Sequence, residues 1–83
     1  MLSVKVSVKL TGQFIKLAPE GSEKGVFSAE YGAGTTLSAL LRQLGVEGTG
    51  VKHVALVNNG RKPADYVLSD SDAVTVMPLL AGG

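Results

Sequence analysis

The sequence predicts an α+β domain in which a mixed sheet of four to five strands packs on one main helix. Three observations predict it. Leu2, Val4, Val6, Val8 and Leu10 alternate with Ser3, Lys5, Ser7 and Lys9, the period-two pattern of a half-buried strand. Leu37, Leu40, Leu41 and Leu44 recur at i, i+3, i+4 and i+7, the apolar stripe of a helix that lies on a sheet. Strand-like runs then resume and end in the alternating Val74 and Val76. The 83 residues, 45% of them apolar, supply material for one core and no second domain.

The elements follow in order. After the first strand, Leu2 to Leu10, alternation is lost, and Gly12, Pro19, Gly21 and Gly25 punctuate a long connection. Its Phe14, Ile15 and Leu17 are expected to pack back onto the core. Val26 to Tyr31 forms the second strand, with Val26, Ser28 and Glu30 opposing Phe27, Ala29 and Tyr31, and it ends at Gly32-Ala33-Gly34. Thr35 or Thr36 supplies the helix N-cap and Gly45 ends the helix. At about ten residues the helix is too short to persist alone, so it must lie on the sheet. Lys52 to Val57, rich in Val and Leu with little alternation, predicts a buried strand in a central position. Asn58-Asn59-Gly60 predicts a hairpin turn, because Asn and Gly tolerate positive φ. Arg61 to Ala64 returns as a short edge strand, where Pro63 is acceptable. Ser69, Asp70, Ser71 and Asp72 form a solvated polar turn before a last strand from Ala73 to Met77. Val74 and Val76 should face inward, leaving Thr75 and Met77 on the opposite face, either as a partner patch or as plain packing.

Composition narrows the function classes. With no cysteine, the chain has no disulfide, no thiolate metal site and no thiol nucleophile, so any sulfur chemistry must use sulfur from elsewhere. The basic residues are scattered and exceed the acidic ones by only one, which argues against nucleic acid. No apolar run approaches the roughly 18 residues of a membrane span, and the expectation is a soluble, cytoplasmic protein. His53, the only histidine, has no neighbouring ligand type, and neither a Ser-His-Asp spacing nor a phosphate loop is present. The isolated chain is therefore expected to bind no cofactor or metal and to catalyse nothing.

The chain ends Pro78-Leu79-Leu80-Ala81-Gly82-Gly83. Glycine has no Cβ and takes backbone angles that other residues resist, so such an end can thread a narrow channel and present its terminal carbonyl unhindered. Residues 1–78 are expected to form the domain and 79–83 a flexible tail. Extended at about 3.3 to 3.6 Å per residue, Leu79 to Gly83 would reach on the order of 17 Å into a partner. Leu79 and Leu80 either anchor it in apolar grooves of the partner, with Ala81 and Gly82 passing closely behind, or cap the sheet edge of this domain.

An order of two paired strands, a helix, and a final strand returning parallel to the first describes the ubiquitin-like β-grasp arrangement. Ala55-Leu56-Val57-Asn58-Asn59-Gly60, Leu68-Ser69-Asp70-Ser71-Asp72-Ala73-Val74 and the Pro78 to Gly83 tail together resemble the MoaD/ThiS sulfur-carrier family. That family includes the small subunit of molybdopterin synthase and the thiamine-biosynthesis sulfur carrier. Ser71 stands where the family's Asp-Gly-Asp turn has glycine, and Leu79 where a second proline is common in the molybdopterin branch. The long excursion from Thr11 to Gly25 resembles the molybdopterin branch.

The resemblance implies chemistry at Gly83. A carboxylate with a pKa of roughly 3.5 is ionised at neutral pH and is a poor electrophile, so it must be activated before it accepts sulfur. A ubiquitin-activating-type adenylating enzyme would use MgATP to make the acyl-adenylate, and a sulfur donor would displace AMP to leave a thiocarboxylate. The acceptor would lie in the molybdopterin synthase large subunit, with thiazole synthase as the alternative. A protein modifier that forms isopeptide bonds and a β-grasp binding module without acyl chemistry are the alternatives.

Overall fold

In the computed structural model, which describes residues 2–79, the alternating N-terminal run becomes β1, Ser3–Leu10. Its Val6, Val8 and Leu10 are wholly buried, while Lys5, Ser7 and Lys9 remain exposed. β2, Val26–Gly32, pairs antiparallel with it, setting Val8 beside Phe27, Val6 beside Ala29 and Val4 beside Tyr31 on the same inner face. α1, Leu37–Leu44, covers that face with Leu37, Leu40 and Leu41. The Ala39 N–H donates to Thr36 Oγ1 at 3.1 Å, so Thr36 is the cap, and Gly45 ends the helix at φ 85°.

β3, His53–Val57, turns through Asn58 and Asn59 into β4, Gly60–Arg61. Both asparagines have positive φ, 52° and 67°, as a two-residue hairpin with the strands' right-handed twist requires. β5, Ala73–Pro78, lies parallel to β1 and antiparallel to β3, giving the order β2-β1-β5-β3-β4. A five-stranded mixed sheet gripping one main helix is the ubiquitin-like β-grasp fold that the sequence predicts.

Five local expectations need correction. The helix is eight residues long rather than about ten. The connection after β1 contains a 3-10 helix, Gly12–Leu17, because Phe14 is drawn wholly into the core. Leu17 packs against that core too, but Ile15 does not share this burial and remains 44% exposed. The third strand is not central: β5 holds the middle, and His53 to Leu56 are only half-buried. A strand with the helix on one face and an open apolar patch on the other has the same composition as one covered on both. The returning edge strand stops at Arg61, since the Tyr66 N–H donates to the Pro63 carbonyl at 3.0 Å and bends the chain away.

The fifth correction concerns the polar turn. Asp70 is exposed, but Asp72 is only 5% exposed. Between them Ser71 adopts φ 70°, the left-handed region in which a side chain costs roughly 1–2 kcal/mol. The strain explains why glycine suits this position. Ser71→Gly should raise stability by about 0.5–1 kcal/mol, the gain being reduced by glycine's freer unfolded chain. Chemical denaturation would register it, and an unchanged midpoint would show that Ser71 is not strained.

Candidate functional site at the base of the C-terminal tail

Any chemistry at the C-terminus depends on where β5 delivers the chain, and β5 is held at both ends. At its start, the buried Asp72 carboxylate accepts three hydrogen bonds: from Asn58 Nδ2 at 2.9 Å, from the Tyr66 hydroxyl at 2.8 Å and from the Ser69 N–H at 2.8 Å. Asn58 completes the bracket by accepting from the Ala73 N–H at 3.0 Å and donating its own N–H to the Ala73 carbonyl at 2.8 Å. Next to it, Asp70 Oδ1 accepts from the Lys5 N–H at 2.8 Å, and the Ser71 N–H donates to the Lys5 carbonyl at 2.7 Å. The turn therefore staples β5 to both the hairpin and β1.

Burial alone would raise the Asp72 carboxyl, but the bonds from Ser69, Tyr66 and Asn58, with the nearby Lys62 charge, outweigh it and hold the group below its usual value. Because the folded pKa is the lower one, the contribution to stability is complete above the unfolded value near pH 4. It is lost as the pH falls from there through the folded pKa. Stability should thus decline on acidification below about pH 4. Asp72→Asn should lower stability at pH 7 and shrink the difference between pH 7 and pH 3 in urea melts. An unchanged difference would remove Asp72 from the acid response.

At the far end of β5, the Thr11 N–H and Oγ1 both donate to the Val76 carbonyl at 3.1 Å. Gly12, at φ 58°, lies so close to Pro78 that a Cβ there would stand 2.8 Å from the proline Cγ. On the other side, the Leu79 N–H donates to the Lys52 carbonyl at 2.8 Å. Pro78 sits opposite His53, whose ring meets Phe14 edge-on at 6.0 Å between centroids. The chain beyond Leu79 starts from a clamped position.

The register also assembles the surface around that exit. Val74 and Val76 are buried, so Thr75 and Met77 face outward, opposite Leu56 and Val54 of β3. Leu79 is 52% exposed next to this apolar strip. Lys9 pairs beside Thr75, and Arg61 beside Leu56, so cations border it. The strip thus has an apolar centre and a charged rim.

Of the tail residues singled out in the sequence, Leu79 is placed at this exit, whereas Leu80, Ala81, Gly82 and Gly83 lie outside the described residues. Thr75 and Met77 share the outer face as expected. Val54 and Leu56 join that face without having been expected there; the Asn58-Asn59 turn, which sets the register of β3, is the sequence signal that points to them. Thr11, Gly12 and the Lys52 carbonyl carry no sequence signal, since their roles arise from packing. His53 Nδ1 lies 3.1 Å from the Val51 carbonyl. Among the described residues no group of three or more His, Cys, Asp or Glu could hold a metal ion, and no helix is long and apolar enough to cross a membrane.

Comparison with known proteins adds to this geometry. The model of the ThiS family matches residues 8–83. No curated protein matches the sequence. A Pyrococcus furiosus protein provisionally named molybdopterin converting factor, subunit 1, is 22% identical, with 93% of this chain and 99% of that chain covered and a TM-score of 0.75. The Haloferax volcanii HVO 2177 protein is 20% identical over 98% of this chain and 88% of that one, with a TM-score of 0.76. SAMP1 from the same organism is 16% identical over 95% and 99%, with a TM-score of 0.71. At these identities the structures share the fold.

Proposed function

Since the chain belongs to the ThiS family, within a superfamily of sulfur carriers and ubiquitin-like modifiers that are not themselves enzymes, we propose that it carries sulfur on the carboxylate of Gly83. The family match running through Gly83, at the end of a tail whose base is clamped, carries this reading. A ubiquitin-activating-type enzyme in the cytoplasm binds the outer face of the sheet and receives the tail. The Gly83 carboxylate attacks the α-phosphorus of MgATP, and pyrophosphate leaves. Hydrosulfide then adds to the acyl carbon, the acyl C–O bond breaks with its electron pair leaving on AMP, and the S–H proton is released to give the thiocarboxylate. The chain's own part is to present the tail; Leu79, Leu80 and Ala81 guide it, and Gly82 lets it pass a narrow channel.

The acceptor is open to three readings. The match to the ThiS model favours delivery to a thiazole synthase. A solved relative named as a small archaeal modifier supports attachment to lysines of other proteins through the same activated end. The molybdopterin acceptor, suggested by the long connection after the first strand, keeps the support of one name at 22% identity. It is therefore the weaker reading.

Intact mass decides the shared first step. Incubation with an activating enzyme of this class, MgATP and sulfide should add about 16 Da, the replacement of one terminal oxygen by sulfur, through an activated acyl intermediate. No shift with an enzyme that loads its own carrier would overturn the proposal. Lysine-linked adducts in the same reaction would assign the modifier reading.

A further inference from the structure

The outer edge of β3 is open where the β4 hairpin leaves it. The Leu79 N–H to Lys52 carbonyl bond and the Asn58 N–H to Ala73 carbonyl bond identify positions 52 and 58 as hydrogen-bonded to β5. Antiparallel ladders alternate, so Val54 and Leu56 also bond toward β5, while the backbone groups of His53, Ala55 and Val57 point the other way. Val57 meets Gly60, and β4 ends at Arg61. Among the described residues no strand lies beside His53 to Ala55 on that side.

A groove runs along this edge. Leu37 and Leu41 of α1 form one wall, and Arg61, Lys62 and Ala64 form the other. The lining contains two permanent cations and a histidine but no Asp or Glu. Open backbone donors and acceptors, an adjoining apolar wall and a basic rim are the three elements by which a sheet recruits an extended acidic segment.

We propose that this edge binds an extended acidic segment of a partner protein, which adds a sixth strand beside His53–Ala55. Small apolar side chains of the segment lie against Leu37, Leu41 and Ala64, and its carboxylates meet Arg61 and Lys62. A second copy of this chain fits less well, because edge-to-edge pairing would bring two sets of these cations together. The site meets the outer sheet face at Val54 and Arg61, which border both, and does not depend on chemistry at Gly83.

The test is a titration of the full chain, labelled for amide NMR, with an acetylated, amidated hexapeptide alternating valine and glutamate. A version with lysine in place of glutamate serves as the control. Saturable shifts of the His53 and Ala55 amides, with those of Thr75 and Met77 unmoved, are expected. The Arg61→Glu substitution, on an exposed residue, should weaken binding by about tenfold or more, as should the lysine peptide; Lys62 is kept because its charge helps to hold Asp72. Ala55→Pro removes a donor that faces away from β5 and should abolish binding while the β3 to β5 ladder persists. If that variant does not fold, the charge variant still decides. Shifts confined to Thr75 and Met77, equal binding of both peptides, self-association through the same edge, or no saturation at millimolar peptide would each overturn the proposal.

Discussion

A chain ending at Ala81 should fold with unchanged stability and lose all ability to accept sulfur. Among the described residues, the hydrogen bonds that hold β5, from Asp72 at its start to Thr11 and Lys52 at its end, already secure it without the last two glycines. Removal of Gly82 and Gly83 should therefore leave the melting temperature where it is. Chemically, the loss should be total, because the new terminal carboxylate stands two residues, about 7 Å, short of the position that the full tail reaches. The mass shift seen with MgATP and sulfide should vanish for the truncated chain. Partial loading would show that the activating enzyme reads the carboxylate without measuring the tail, and full loading would place the accepting group elsewhere. A lost mass shift accompanied by a lowered melting temperature would instead implicate the fold.

Phe14→Ala should cost about 3–5 kcal/mol, the range for deleting a fully buried aromatic ring. For a domain of 83 residues that is a large share of a total stability of about 4–12 kcal/mol. Its second effect is local. Phe14 lies in the 3-10 helix that starts at Gly12, against which Pro78 packs, and its ring meets His53 opposite Pro78. A cavity there should loosen both sides of the clamp, so exchange of the Thr11 and Leu79 amides should accelerate more than exchange of Val6 or Val8 within the central ladder. Urea denaturation and native-state hydrogen exchange read the two effects. A cost below about 1 kcal/mol would mean that the connection after β1 contributes little to the core.

Part of the site is legible in the residues alone. Thr75 and Met77 can be placed on one face because two residues per repeat is a property of any extended chain. Composition does not mark Val54 and Leu56 as their neighbours, because a strand of mostly Val, Ala and Leu gives no indication of which faces are covered; only the register set by the Asn58-Asn59 turn points to them. Asp72 reads as solvated because an aspartate in a Ser-Asp-Ser-Asp run usually is. Its burial follows from Asn58 and Tyr66, which lie 14 and 6 residues away in the chain and reach it only once the hairpin has closed.

By itself, the sequence determined the elements and their order. Local physics sufficed for these: the alternation of Leu2 to Leu10, the leucine stripe capped by Thr36 and Gly45, and two consecutive asparagines able to take positive φ at the hairpin. The Gly82-Gly83 end and the motifs of the final third likewise pointed to the carrier family. Tertiary structure decided what depends on partners distant in the chain. It put β5 rather than β3 at the centre of the sheet, buried the Asp72 carboxylate among three donors, and seated Pro78 against Gly12. Among the described residues, it also left no strand beside His53 to Ala55. Periodicity and capping act over one or two turns of chain, whereas burial and strand neighbours are set only when residues dozens of positions apart compete for the same space.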